Sequence, residues 1–327
     1  MPVSCVFILL TVAVYVFVPE LLNLNGLVLI AYLLSLFVGF CLLTAREYLG
    51  AFKKMDNLTS LILTFLIYFT MMVTFFWLNV ICYDVWAGFR SKIHGFAHQS
   101  KGSTVGPVLT ESYNFSGSRG NLVGMQTKWR RFSKYSQYAF GVPIAMTVLL
   151  ISLEFSGYDE YSYMPQIRKQ HYRLIGPPRY IYFYGPLTIL CSANITFFTL
   201  TILRIIKVKR ETGMLLNGDF HSHRIDKDRF FIYIKLFVIM GINWLLEVIG
   251  VIYEGPTEVW EYTDIYNIFT GLAIFLLFVC KKNTLKLFKK RYYPRTDSSL
   301  RFQTSITKVA NSKDRVLLRT TTISSEN

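Results

Sequence analysis

The sequence predicts an all-α membrane protein, a bundle of seven transmembrane helices, and three observations carry that prediction. Hydrophobic residues make up 52% of the 327 and aromatic residues 16%, a composition typical of polytopic membrane proteins. Seven runs free of Lys and Arg are close to the length that crosses a bilayer: 3-18, 27-45, 58-83, 135-153, 180-203, 236-253 and 265-280. The 35 Lys and Arg residues also sort by side, 28 in one set of alternate connections and 7 in the other. By the positive-inside rule the N-terminus lies outside and the C-terminus in the cytoplasm. The formal charge of +15 would suggest nucleic acid in a soluble chain. Gathered in cytoplasmic loops it implies no nucleic-acid partner, only membrane lipids.

The first run ends at Pro19-Glu20 and lacks the basic flank and small-residue cleavage site of a signal peptide, so it reads as a span. A turn through Asn23-Leu24-Asn25-Gly26 starts the second, which ends at Arg46-Glu47. The third is the longest: Asn57 to Tyr83 holds no charge, and as a helix it would be about 40 Å long against about 30 Å of hydrocarbon. It contains Asn79, whose amide needs a partner within the protein, so this helix is expected at the centre of the bundle. Asp84 closes it.

The connection to the fourth run is expected to be disordered over about 99-127, where Gly, Ser, Thr and Asn dominate, before the basic stretch Lys128-Trp129-Arg130-Arg131. Asn194-Ile195-Thr196 matches a glycosylation sequon but lies within a run and reads as chance; Asn57-Leu58-Thr59 lies close to the membrane. Pro143 in the fourth run and Gly185-Pro186 in the fifth are candidate hinges, and Gly141 is expected to permit close helix packing. The sixth run carries Asn243, Trp244 and Glu247; an acid at that depth is by default a functional position. Residues 282-291 read as a short basic amphipathic helix, and 292-327 as a disordered cytoplasmic tail beyond a helical domain of 1-291.

Asn79, Asp84, Asn243, Trp244 and Glu247 are thus the intramembrane polar and switch candidates. Arg90, Lys92, Lys207, Lys209, Arg210 and Lys235 cluster at the cytoplasmic ends of the runs. All five cysteines sit within or beside apolar runs and look like small buried residues rather than disulfides or a metal set. The five histidines (His94, His98, His171, His221, His223) fall in expected loops, so no catalytic constellation, metal or cofactor is expected and the chain is not read as an enzyme. A transporter would carry several intramembrane charges and broken helices.

The motifs narrow the class. Phe75-Phe76-Trp77-Leu78-Asn79-Val80 with Asp84-Val85-Trp86 resembles the insect Methuselah-like receptors, G-protein-coupled receptors near the secretin and adhesion branch. So do Tyr182-Phe183-Tyr184-Gly185-Pro186 and Met240-Gly241-Ile242-Asn243-Trp244 with Glu247, while Phe140-Gly141-Val142-Pro143 is similar to the Gly-Trp-Gly-x-Pro signature of secretin-like receptors. The resemblance implies a multi-pass plasma-membrane receptor that binds an extracellular ligand, a peptide being the expected kind, and signals to a heterotrimeric G protein. Relatives carry a cysteine-rich ectodomain, whereas this sequence opens on the first span. They also carry a disulfide from the top of the third span to the second outside loop. Here Ser60 stands at the former position and residues 154-180 hold no cysteine, so the loop is expected to lose its tether. Asn25 and Thr270 stand where relatives have His and Gln, and the third connection looks inserted. The alternative reading is a non-signalling truncated receptor isoform or membrane scaffold.

Overall fold

A computed structural model describes residues 2–52, 56–100, 118–157, 161–172, 174, 176–212, 234–235, 238, 269–280 and 284. The chain divides into two units, Met1–Cys280 and Lys281–Asn327, and the helical bundle belongs to the first. Its helices are α1 (Pro2–Phe17), α2 (Leu24–Phe52), α3 (Asn57–Ser100), α4 (Ser118–Glu154), α5 (Pro177–Arg179), α6 (Gly185–Thr212) and α7 (Phe269–Phe278). A 3₁₀ turn, Pro19–Leu21, follows α1, and a π-helical turn, Tyr180–Tyr184, joins α5 to α6 in one rod.

Among the described residues, four helical stretches are long and apolar enough to cross a membrane: Leu24–Gly50, Asn57–Gly88, Met125–Glu154 and Pro177–Ile206. They coincide with the second to fifth expected runs. The first and last expected runs appear as the shorter apolar helices α1 and α7. The sixth, 236-253, lies almost wholly outside the described residues, as do the 282-291 helix and the tail 292-327.

Local chemistry sets the helix starts. Asn23 caps α2, its side-chain oxygen accepting the Gly26 N–H at 2.9 Å, which satisfies one of the orphan amides of the first turn. Asp56 precedes α3 and its carbonyl takes the first helical bond, from Ser60 N–H at 3.0 Å. α3 then runs 44 residues, about 66 Å, well beyond any bilayer. Helix therefore reaches Ser100 and resumes at Ser118, so the disordered segment expected at 99-127 is too wide at both ends, and His94 and His98 lie on α3 rather than in a loop. Residues 101–117 lie outside the described residues.

The centrality expected of α3 is visible in its burial: 78% of its most apolar window is inside the protein, against 17% for α4 and 22% for the α5–α6 rod. Its neighbours run in definite directions. Gly39 faces Met71 and Ser35 faces Thr74, so α2 is antiparallel to α3. Phe76 meets Tyr138 and Trp77 meets Phe132 and Phe140, so α4 is antiparallel as well. Tyr68 meets Phe183 and Trp86 meets Phe197, so α6 runs parallel to α3. Ser4, Phe7 and Tyr15 of α1 meet Gly271, Phe275 and Phe278 of α7 in rising order, so those two helices run the same way.

Hydroxyls on the apolar helices turn inward to their own backbone: Thr147, Thr188, Ser192, Thr196 and Thr199 each donate to the carbonyl four residues back at 2.8 Å. This satisfies them without water, as hydrocarbon requires. Gly141 departs from expectation. Among the described residues nothing lies within 4 Å of a Cβ placed there, so its smallness serves no contact with their helices. The close approach is elsewhere, at Gly271, whose Cβ would stand 2.5 Å from the Ser4 backbone.

Backbone cannot yield as a side-chain tip can. Gly271→Val is therefore expected to force α1 and α7 apart at a cost of about 1–3 kcal/mol, the usual range for overpacking, and thermal unfolding in detergent should show it as a lower midpoint. Gly141→Val, on the open face, should leave that midpoint within a degree or so of wild type.

Candidate functional site

The polar groups of α3, α4 and α6 meet in two layers. In the first, the Asn79 amide nitrogen donates to Asn194 Oδ1 at 2.8 Å while its carbonyl oxygen accepts from Tyr138 OH at 3.1 Å. Asn79 and Asn194 are buried. One side chain of α3 thus ties α4 and α6 together, and every helix supplies a residue that would otherwise be unpaired in hydrocarbon. In the second layer, five residues on and about 7.5 Å along the axis, Tyr135 OH donates to Asp84 Oδ1 at 2.8 Å. Tyr138 and Tyr135 are three apart on α4, so they share a face and reach Asn79 and Asp84 across the antiparallel pair.

An aromatic sleeve closes over Asp84. Tyr83 lies edge-on to Tyr135 and to Phe197, Trp86 packs on Phe197 at 5.6 Å, and the Arg204 guanidinium sits 5.2 Å from the Trp86 ring. On the other side of Asn79, Trp77 is fully buried, stacked on Phe132 at 5.8 Å and edge-on to Phe140. Among the described residues its indole N–H has no hydrogen-bond partner, which fits a packing role.

The candidate hinge at Gly185-Pro186 coincides with the π turn: Gly185 N–H bonds Tyr180 O, five residues back. Pro186 has no N–H, so the Tyr182 carbonyl that it would have served is released. Tyr68 OH of α3 takes that carbonyl at 2.9 Å. The bend is thereby locked to the central helix rather than left open to the bilayer. Pro143 lies inside α4 and is buried, with the Thr147 hydroxyl on its carbonyl at 2.8 Å.

Of the residues singled out from sequence, Asn79 and Asp84 come into these layers, and Pro143, Gly185 and Pro186 fall on the helices expected. Asn243, Trp244 and Glu247 lie outside the described residues. Arg90 and Lys92 fall past the apolar part of α3, and Lys207, Lys209 and Arg210 past that of α6. Because the two helices are parallel, all five positions belong to one end of the bundle; Lys235 is exposed. Sequence reasoning passed over Asn194, Tyr135 and Tyr138. The sequon match drew attention away from Asn194, although a second amide in an apolar run was the natural partner for Asn79. Among the described residues no three His, Cys, Asp or Glu side chains gather as a metal ion would need.

Replacing Asn79 by Ala should cost about 1–3 kcal/mol by stranding Asn194 and Tyr138. The double variant Asn79→Ala with Asn194→Ala should lose less in total than the sum of the two single changes, with a coupling of about 0.6–1.7 kcal/mol. Unfolding of the four members of this cycle in detergent measures it, and full additivity would mean the amides do not pair.

No family model matches the chain. Among curated proteins it is similar to the G-protein coupled receptor Mth2 of Drosophila yakuba, at 30% identity over 305 residues, covering 90% of this chain and 51% of that one. It is 29% identical to the G-protein coupled receptor Mth of Drosophila melanogaster over 298 residues, 88% of this chain and 51% of the relative. The probable G-protein coupled receptor Mth-like 10 of the same species is 29% identical over 315 residues, 90% and 48% of the two chains. The chain spans about half the length of the curated relatives it matches. Its homologues are thus the Methuselah and Methuselah-like receptors of Drosophila, which bears out the resemblance drawn from the aromatic motifs.

Proposed function

We propose that this chain, a homologue of the Methuselah-type G-protein-coupled receptors, is itself a seven-span receptor of the plasma membrane. Its N-terminus faces out, it takes an extracellular ligand for which a peptide is the leading candidate, and it passes the signal to a heterotrimeric G protein. One observation carries the mechanism: Asn79 holds Asn194 and Tyr138 at once, so neither α4 nor α6 can shift against α3 without exchanging a hydrogen bond. Such bonds in a membrane bundle are worth about 0.6–1.7 kcal/mol each. Two or three together hold a resting arrangement that a ligand can overturn with a few kcal/mol of preference for the other. The Asp84–Tyr135 layer stands between this pivot and the basic end, with Arg204 against Trp86, and relays the shift.

The common direction of α1 and α7 supports an odd number of crossings, as seven requires. Arg90, Lys92, Lys207, Lys209, Arg210 and Lys235 form the surface offered to the G protein and the inner headgroups. Asn243, Trp244 and Glu247 complete the switch from the sixth span, and Pro143 and Gly185-Pro186 are its flex points.

The test is G-protein nucleotide exchange in cells, with tags at both termini and the full chain compared with Asn79→Ala, Glu247→Gln and a deletion of 99-127. The N-terminal tag should be labelled on intact cells and the C-terminal tag should not. Asn79→Ala should change basal exchange by about threefold, the factor equivalent to about 0.6 kcal/mol. Surface expression with no coupling in any variant would favour the non-signalling scaffold, and a labelled C-terminal tag would overturn the topology.

A further inference from the structure

The 154-180 connection has no cysteine and so no disulfide tether, as expected, yet hydrogen bonds hold its described residues in place. Glu154, the last residue of α4, is 3% exposed, and a carboxylate so buried is costly unless fully paired. It is paired. Its Oε2 accepts the Ile167 N–H at 2.8 Å, and its Oε1 accepts the Arg168 N–H at 2.9 Å and the Arg168 Nε–H at 3.2 Å. The Arg168 guanidinium also donates through Nη2 to the Glu154 backbone carbonyl at 3.0 Å and lies 4.7 Å over the Phe155 ring. Two consecutive backbone amides on one carboxylate fix the direction of the chain as well as its position.

The far end of the segment is held separately. The Tyr172 carbonyl accepts from Thr64 Oγ1 of α3 at 2.6 Å and from Arg46 Nη2 of α2 at 3.2 Å. Between the two anchors Ile167 is fully buried against Leu61, Phe65 and Met72 of α3 and Leu150 of α4. Gln166, His171 and Tyr172 all adopt left-handed backbone, with φ of 47°, 51° and 57°. Each costs about 1–2 kcal/mol for a residue other than Gly, and such strain persists where surrounding contacts over-determine the conformation.

We propose that Glu154 is a positioning residue that clasps residues 161–172 as a fixed lid over the N-terminal end of α3, so that hydrogen bonds do the work of a covalent tether. With the N-terminus outside, this lid covers the ligand-facing end of the bundle and restricts approach to Thr64 and Tyr68. That last step rests on the receptor reading, whereas the clasp itself does not.

Amide hydrogen exchange on the full chain in lipid nanodiscs tests it, with wild type, Glu154→Ala, Glu154→Gln and Arg168→Met, each with and without dithiothreitol. In wild type the Ile167 and Arg168 amides should be protected and indifferent to reductant. Glu154→Ala should speed their exchange about tenfold or more, as expected on losing bonds to a charged group, while amides of residues 70–85 stay unchanged. Glu154→Gln, which keeps an acceptor, should fall between. Unaltered exchange at 167–168 in a folded Glu154→Ala protein, or opening of the wild-type segment by dithiothreitol, would overturn the clasp. Should Glu154→Ala fail to fold, Arg168→Met takes its place: a rise of about threefold confined to 161–172 supports the proposal, and no rise refutes it. Because exchange needs neither ligand nor G protein, its failure is separable from failure of the receptor reading.

Discussion

Hydrocarbon offers no hydrogen bonds, and that one constraint organises the bundle. A polar side chain carried into it is costly unless it finds a partner in the protein, at the same depth and on a facing surface. Hydroxyls can satisfy this alone by bonding the preceding turn of their own helix, and most do. An amide or a carboxyl cannot, and so Asn79, Asn194 and Asp84 dictate which helices meet and in what rotation, while Glu154 fixes where the segment after α4 docks. The apolar majority then fills the space between these fixed points.

The consequence is a division of labour along α3. Toward its N-terminal end Thr64 and Tyr68 are committed to backbone carbonyls of other segments, Tyr172 and Tyr182. In its middle Thr74 and Asn79 reach side chains of α2, α4 and α6. Just beyond its middle Asp84 reaches α4, with aromatic rings beside it. A displacement of any neighbour is therefore felt at α3, and the neighbours touch one another less than they touch it. That arrangement suits a helix whose part is to couple two ends of a molecule, because discrete hydrogen-bond partners permit discrete states where packed hydrocarbon alone would permit gradual sliding.

Proline chemistry belongs to the same scheme. Pro186 removes one helical bond, the π turn before it absorbs the misfit, and the freed carbonyl is handed to Tyr68. The bend is visible in sequence as Gly185-Pro186, but its lock is not, since a tyrosine more than a hundred residues earlier supplies it. Glu154 is comparable. In sequence it is one of several charges in a loop; in space it is the buried counterpart of two amides thirteen and fourteen residues on.

By itself the sequence determined which of the described segments are apolar rods, which of them lies at the centre, and which family they resemble, because those properties follow from solvation, and solvation is summed residue by residue along the chain. It pointed to Asn79 and Asp84 for the same reason: each is polar where the surroundings are not. What it left open was pairing. Asn194, Tyr138 and Tyr135 became partners, Gly271 rather than Gly141 became the close contact, and the Glu154 carboxylate became the acceptor of the Ile167 and Arg168 amides. Only the tertiary structure decided these, because they depend on the rotation and relative height of separate helices, and a single strand of residues carries no record of either.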